Sequence, residues 1–194
     1  MNKVKLDPKT EQEFQKEKRY FTVPDYIILK SNQLHHPVTN LKLQKILYFL
    51  NVIQLVESGD ALFPDFEFRK WDYGATVEDI YEEYRKFGGD VITKPITHVF
   101  LYLDQKQMFH SFKYNTDINQ IDLNEKQVID RWLPILLNYD QFELVKMCLT
   151  EPQLSDKITD VYNNELSKRF WSKHCFWLAN RKMDESVEMS AKYI

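Results

Sequence analysis

Five histidines and two cysteines are the side chains best suited to hold an ion such as zinc, through imidazole nitrogen or thiolate sulfur. Their spacing does not support such a site. His35 and His36 adjoin a loop instead of standing i, i+4 on one helix face, and Cys148 has no CxxC partner. His98 and His110 fall on two segments able to face each other across a hairpin, yet no nucleophile stands beside either. Glu78-Asp79 and Glu82-Glu83 are carboxylate pairs, but acid/base work needs two environments that separate their pKa values, and these lie on one solvated helix. A GxSxG elbow and a Cys-His signature are both missing, and four glycines leave no loop that cradles phosphate. Lys42, Lys45, Arg69 and Lys70 beside Trp71 and Tyr73 combine charge with stacking rings, as single-stranded nucleic-acid binding requires. The acidic helix that follows argues against it.

The chain that must position these groups has 194 residues, a net charge of −3, and 43% apolar residues, including 4 Trp, 11 Tyr and 13 Phe. That is enough to fill one core and too little charge to coat DNA or an anionic bilayer. Two cysteines make no disulfide framework, and the charged stretch Lys3 to Arg19 lacks the apolar core of a secretory signal, so the expected compartment is the cytoplasm. The longest apolar runs, Ile46 to Leu50 and Val99 to Leu103, fall far short of the ~18 residues that span a membrane.

Residues 1–20 alternate Lys and Glu and read as a polar arm, with room for one short helix; Pro24 then opens another short helix. The informative helix begins after Thr39 or Asn40, either of which can cap it, and ends at Gly59. Between Leu41 and Val56 its apolar positions cover most of the circumference, while Asn40, Gln44, Tyr48 and Asn51 form one narrow strip. A helix of that pattern belongs at the centre of a domain, and buried amides and hydroxyls usually bond internally. Phe66 to Arg69 alternate as a short extended segment leading to a turn at Gly74; Thr76 with Asp79 resembles a capping box for a helix that stops at Gly88-Gly89. Residues 97–103 and 108–114 read as a β-hairpin. Helices follow from Asn124, interrupted by Pro134, from Gln141 to Leu149, and from Ser155 through Trp171 to Leu178. The expected fold is α+β and predominantly helical: a central buried helix, packed helices around it, and one small antiparallel hairpin.

Asn40-Leu-Lys-Leu-Gln-Lys-Ile-Leu-Tyr48, followed by Gly59-Asp-Ala-Leu-Phe63, Trp71-Asp-Tyr-Gly74, Ile80-Tyr81, Tyr84 and Gly88, resembles the Panacea domain, also called the SocA-like or GepA-like antitoxin domain. Order and spacing agree across more than fifty residues. The family's Gly-Pro-Val is Gly74-Ala75-Thr76 here, and its later histidine and Pro-Trp pair have no counterpart. The resemblance implies a domain over 21–152, between the arm 1–20 and a helical extension 153–194. It also implies a non-enzymatic protein, encoded beside a toxin in bacteria or phages, that neutralises the toxin by binding it and needs no metal or other cofactor. Presentation of the toxin to a cellular protease is a further step, for which 1–20 and 183–194 are the candidate recognition segments. Partner choice should then reside outside the shared helix, with Trp71 and Tyr73, then Trp171 and Trp177, as candidate contacts. A small metal-dependent or hydrolytic enzyme using His98, His110 or His174, and a nucleic-acid-binding regulator, are the alternatives.

Overall fold

The computed structural model describes residues 6–156 and 158–175. Helix α1 (Pro8–Gln33) is the first departure from expectation. The segment expected as a polar arm is helical from Pro8, capped by the Asp7 carboxylate, and continuous with the part expected to begin at Pro24. Pro24 lies inside it, where it cannot donate to the preceding turn. Buried Phe21, Val23, Tyr26, Ile27 and Ile28 on both sides of the proline hold the helix against the core, and that packing outweighs the lost hydrogen bond.

A short strand β1 (Val38–Thr39) leads into α2 (Asn40–Glu57). Thr39 caps it through its hydroxyl, and Gly59 follows it with φ of 98°, as its sequence signals indicate. Leu43, Ile46, Leu47, Phe49, Leu50, Val52 and Ile53 are wholly buried, each contributing roughly 1.5–3 kcal/mol of apolar transfer energy. Helix α2 touches every other helix of the described residues and is the centre of the molecule.

Next come β2 (Phe68–Trp71) and β3 (Gly74–Val77), which pair as a hairpin with Trp71 opposite Gly74. Helix α3 (Glu78–Tyr84) follows, continued by a tighter turn over Arg85–Phe87 and ended at Gly88. Thr76 does not cap it. Paired with Arg69 inside β3, its hydroxyl bonds Gly74 O instead. Strand β4 (Val91–Ile92) returns to β1, and β5 (His98–Leu103) pairs with β6 (Phe109–Tyr114). Three antiparallel pairs are therefore present where one hairpin was expected. The β5–β6 turn manages without glycine because Gln107 takes φ of 59° and the Asp104 carboxylate accepts from the backbone of Lys106 and Met108.

Helices α4 (Leu123–Leu137) and α5 (Gln141–Leu149) lie where expected, except that α4 continues through Pro134 instead of ending there; Asp140 with Glu143 forms a capping box on α5. The helix expected from Ser155 is replaced by a single turn (Pro152–Ser155), an irregular strap, and α6 (Asn164–Trp171) capped by Asn163. The strap stays extended because its backbone lies against β2: Lys70 N–H donates to Asp160 O at 2.7 Å and Tyr162 N–H to Phe68 O at 2.8 Å. The architecture is α+β and predominantly helical, and no helix of the described residues is long and apolar enough to cross a membrane.

Candidate functional site

The polar strip of α2 is spent inward, mostly on main chain. Gln44 accepts from Val77 N–H at 2.9 Å, Lys45 Nζ donates to Ala75 O at 2.7 Å, Asn40 Nδ2 donates to Tyr81 O at 2.9 Å, and Asn51 accepts from Phe63 N–H at 3.2 Å. Lys45 is completely buried, and that burial pulls its ammonium down to about 8, against the opposing influence of Cys148. Burial likewise pushes the Cys148 thiol up, while its sulfur accepts from Ala75 N–H at 3.2 Å. Gly74 closes the clamp. Its φ is 82°, and a Cβ there would stand 2.6 Å from Cys148 Sγ, so the turn needs glycine for both conformation and space.

Tyr48 continues the strip to a second buried group. Glu151, 1% exposed, accepts from Tyr48 Oη, Gln153 Nε2, Ser167 Oγ and Trp171 Nε1, the last two at 2.7 Å. Burial and the Glu151 carboxylate push the Tyr48 phenol far above its ordinary value. Four donors around one carboxylate satisfy a charge that would otherwise be costly to bury. This group corrects one candidate contact: Trp171 is 2% exposed and belongs to the core, because its indole N–H is needed by Glu151. Trp177 lies outside the described residues.

The other two candidates stay at the surface. The β2–β3 clamp presents the tip Trp71-Asp72-Tyr73, where Tyr73 is 58% exposed and Trp71 is half-buried with its ring edge-on to Tyr81, 4.9 Å between centroids. Behind the tip, Arg69 ties the hairpin together through Glu67 (2.8 Å), Glu78 (3.0 Å) and Asp160 (2.5 Å).

The histidines do not assemble. Register places His98 opposite Tyr114 and His110 opposite Tyr102, so the two rings do not face each other. His110 is exposed beside Asp104, and His174 stacks on Phe170. His98 is buried, its Nε2 on Asp25 and its Nδ1 on Glu83, both at 2.9 Å. Burial alone would lower its pKa; the two carboxylates overcome that and raise it to about 9. Asp25 also accepts from Tyr84 Oη at 2.6 Å and Thr116 Oγ1 at 2.7 Å. The cluster fastens α1, α3 and β5 to one another.

Above this cluster opens a cleft of about 780 Å³ whose walls carry eight carboxylates: Glu13 and Glu17 from α1, Asp65 and Glu67 before β2, and Glu78, Asp79, Glu82 and Glu83 from α3. Lys16 and Arg69 are its cations, which leaves a formal −6 in a chain whose total is −3. Sequence reading identified the α3 carboxylates but not their convergence with α1, whose first half it took for an arm. The spacing of Glu13 and Glu17 at i, i+4 was the available signal.

The model of the antitoxin SocA-like Panacea domain matches residues 43–153, more than half of the chain, and the chain belongs to that family. The matched stretch contains Gln44, Lys45, Gly74 and Cys148, which fix the hairpin, and Tyr48, Glu151 and Gln153 of the second buried group, whose Ser167 and Trp171 lie beyond it. No curated protein and no solved structure matches the chain.

Proposed function

We propose that this protein neutralises a toxin, encoded by an adjacent gene, by binding it directly in the cytoplasm, with Trp71 and Tyr73 among the contacts. The observation that carries the reading is the family match over the residues that build the clamp. The physical support is the division of labour in the fold: the polar groups of α2 are consumed internally, and what they hold outward is an aromatic tip on a stiff two-residue turn. An exposed tyrosine on a pre-ordered turn loses little conformational entropy on binding, which is how a few anchors carry an interface. Inhibition then follows from covering the toxin's working surface, with no chemistry required of the chain itself.

The experiment is co-expression of the chain with the product of the neighbouring gene. Growth rescue together with co-purification supports the reading, and Tyr73→Ala should weaken both without lowering thermal stability by more than ~0.5 kcal/mol. Neither rescue nor co-purification by the wild-type chain overturns it. Loss of toxin protein during rescue, restored by protease inhibition, identifies presentation to a protease as the route.

A further inference from the structure

Strands β5 and β6 form a sheet with one covered face and one bare face. On the covered side Phe100, Phe112 and Tyr114 close around Phe14 of α1, with ring centroids 5.0–5.1 Å from it. The other side carries Val99, Leu101, Leu103 and Phe109, which are 48, 68, 42 and 83% exposed, and Met108, 60% exposed, extends the row around the turn. Leu103 stands directly opposite Phe109, and Ser111 and Lys113 complete the face. Single exposed apolar residues need no explanation, but a row of them on one sheet face marks a surface that another molecule covers.

Its neighbourhood says what kind of molecule. Val99 is also a wall of the acidic cleft, so the apolar row runs straight into the eight carboxylates contributed by α1, α3 and the approach to β2. Arg69 is committed to Glu67, Glu78 and Asp160, and Glu13, Glu82 and Glu83 have Lys9, Arg85 and His98 beside them; with Lys16 as the other lining cation, the eight carboxylates still outnumber these five cations. An apolar strip about 20 Å long, the reach of six strand residues, ending in a negative cleft complements a segment with apolar side chains along one stretch and Lys or Arg at its end. Nucleic acid and anionic lipid would be repelled, and a second copy of this chain would bring a like-charged cleft toward this one.

We infer that the bare face of β5–β6 and the adjoining cleft together dock a basic, amphipathic segment of the toxin. This rests on the reading that the chain binds a toxin directly, and it adds the chemistry of the surface the toxin must offer. The test uses the full chain and the neighbouring gene's product, with affinity titrated at low and high salt. Leu101→Ser/Phe109→Ser should weaken binding ~100-fold, as removal of two anchors does. Glu13→Lys/Glu82→Lys should weaken it at least ~10-fold and flatten the salt dependence. Thermal melts report whether each variant is folded; if the apolar variant is not, the charge variant and the wild-type salt dependence decide. Wild-type affinity and rescue in both folded variants overturn the docking surface while leaving direct binding intact. A wild-type chain that does not bind the toxin removes both. A dimer that Leu101→Ser/Phe109→Ser splits, with toxin binding retained, shows that a second copy covers the face and overturns the assignment.

Discussion

Moving the pH from 6 to 8 should cost the folded chain about 2 kcal/mol, and His98 is the reason. The folded imidazole is raised from 6.5 to about 9, although burial by itself would lower it, because both ring nitrogens donate to carboxylates. The groups facing it are Asp25, Glu17 and Phe21 from α1, Glu83 and Tyr84 from α3, and Tyr114 from β6. A folded pKa above the unfolded one gives stability that is complete below 6.5 and lost as pH rises through 9, at ~1.4 kcal/mol per pH unit between them. Lys45 works the opposite way. Its folded pKa of about 8, down from 10.5, means the fold sheds that proton first, so from pH 8 upward Lys45 adds stability and masks the decline. The visible loss is therefore confined to about 6.5–8, which at that slope is about 2 kcal/mol. Urea unfolding of the wild-type chain at pH 6 and pH 8 measures it, and His98→Gln should flatten the difference. An unchanged pH dependence in His98→Gln refutes the reasoning, as does an NMR titration of the native His98 ring with a midpoint near its ordinary value.

Gly74→Ala should destabilise by at least ~2 kcal/mol in a thermal melt, from the positive φ and the overlap with Cys148 Sγ. Adding Cys148→Ala should recover only the overlap. Glu151→Ala removes the acceptor shared by Tyr48, Gln153, Ser167 and Trp171, leaving them only their bonds to one another and to Asn163 O, and should cost ~3 kcal/mol in urea unfolding. Phe14→Ala should loosen β5–β6 by ~2 kcal/mol, seen as faster amide hydrogen exchange in those strands while α2 stays protected.

Local signals made α2 and α5 legible: a cap at Thr39 and a glycine stop for one, the Asp140–Glu143 box for the other. The hairpin β5–β6 was legible from its runs of aromatic and β-branched residues. What escaped depends on partners distant in sequence. The Lys/Glu-rich start of α1 has little apolar content of its own, and Phe14 finds its covering rings only on β5 and β6. Thr76 has the form of a cap, and only the pairing of β3 with β2 turns it inward. The strap before α6 holds Ile158 at 89% exposure and follows β2 by backbone pairing, a preference that side-chain periodicity does not encode. For the candidate site, the tip Trp71-Tyr73 was visible in its motif, but for Trp171 the sequence left both packing and docking open, and the acceptor at Glu151 decides for packing.

One property of the clamp separates what holds the hairpin from what the hairpin displays. Its contacts outside α2 run largely from side chain to main chain: Lys45 reaches a carbonyl at position 75, Gln44 an amide at 77, Asn40 a carbonyl at 81 and Asn51 an amide at 63. A backbone group is the same whatever side chain its residue carries. The frame of the hairpin and of α3 is thus fixed by α2 without reference to what those elements display. The exposed side chains at Tyr73 and along the bare face of β5–β6 are then free to differ without disturbing these hydrogen bonds, whereas Glu78 and Glu83 of α3 are themselves held by Arg69 and His98. Frame and display are separable here because they fall on different positions: the main-chain groups that α2 holds belong to Phe63, Ala75, Val77 and Tyr81, the first three with buried side chains, whereas Tyr73 and the bare face of β5–β6 carry the exposed ones.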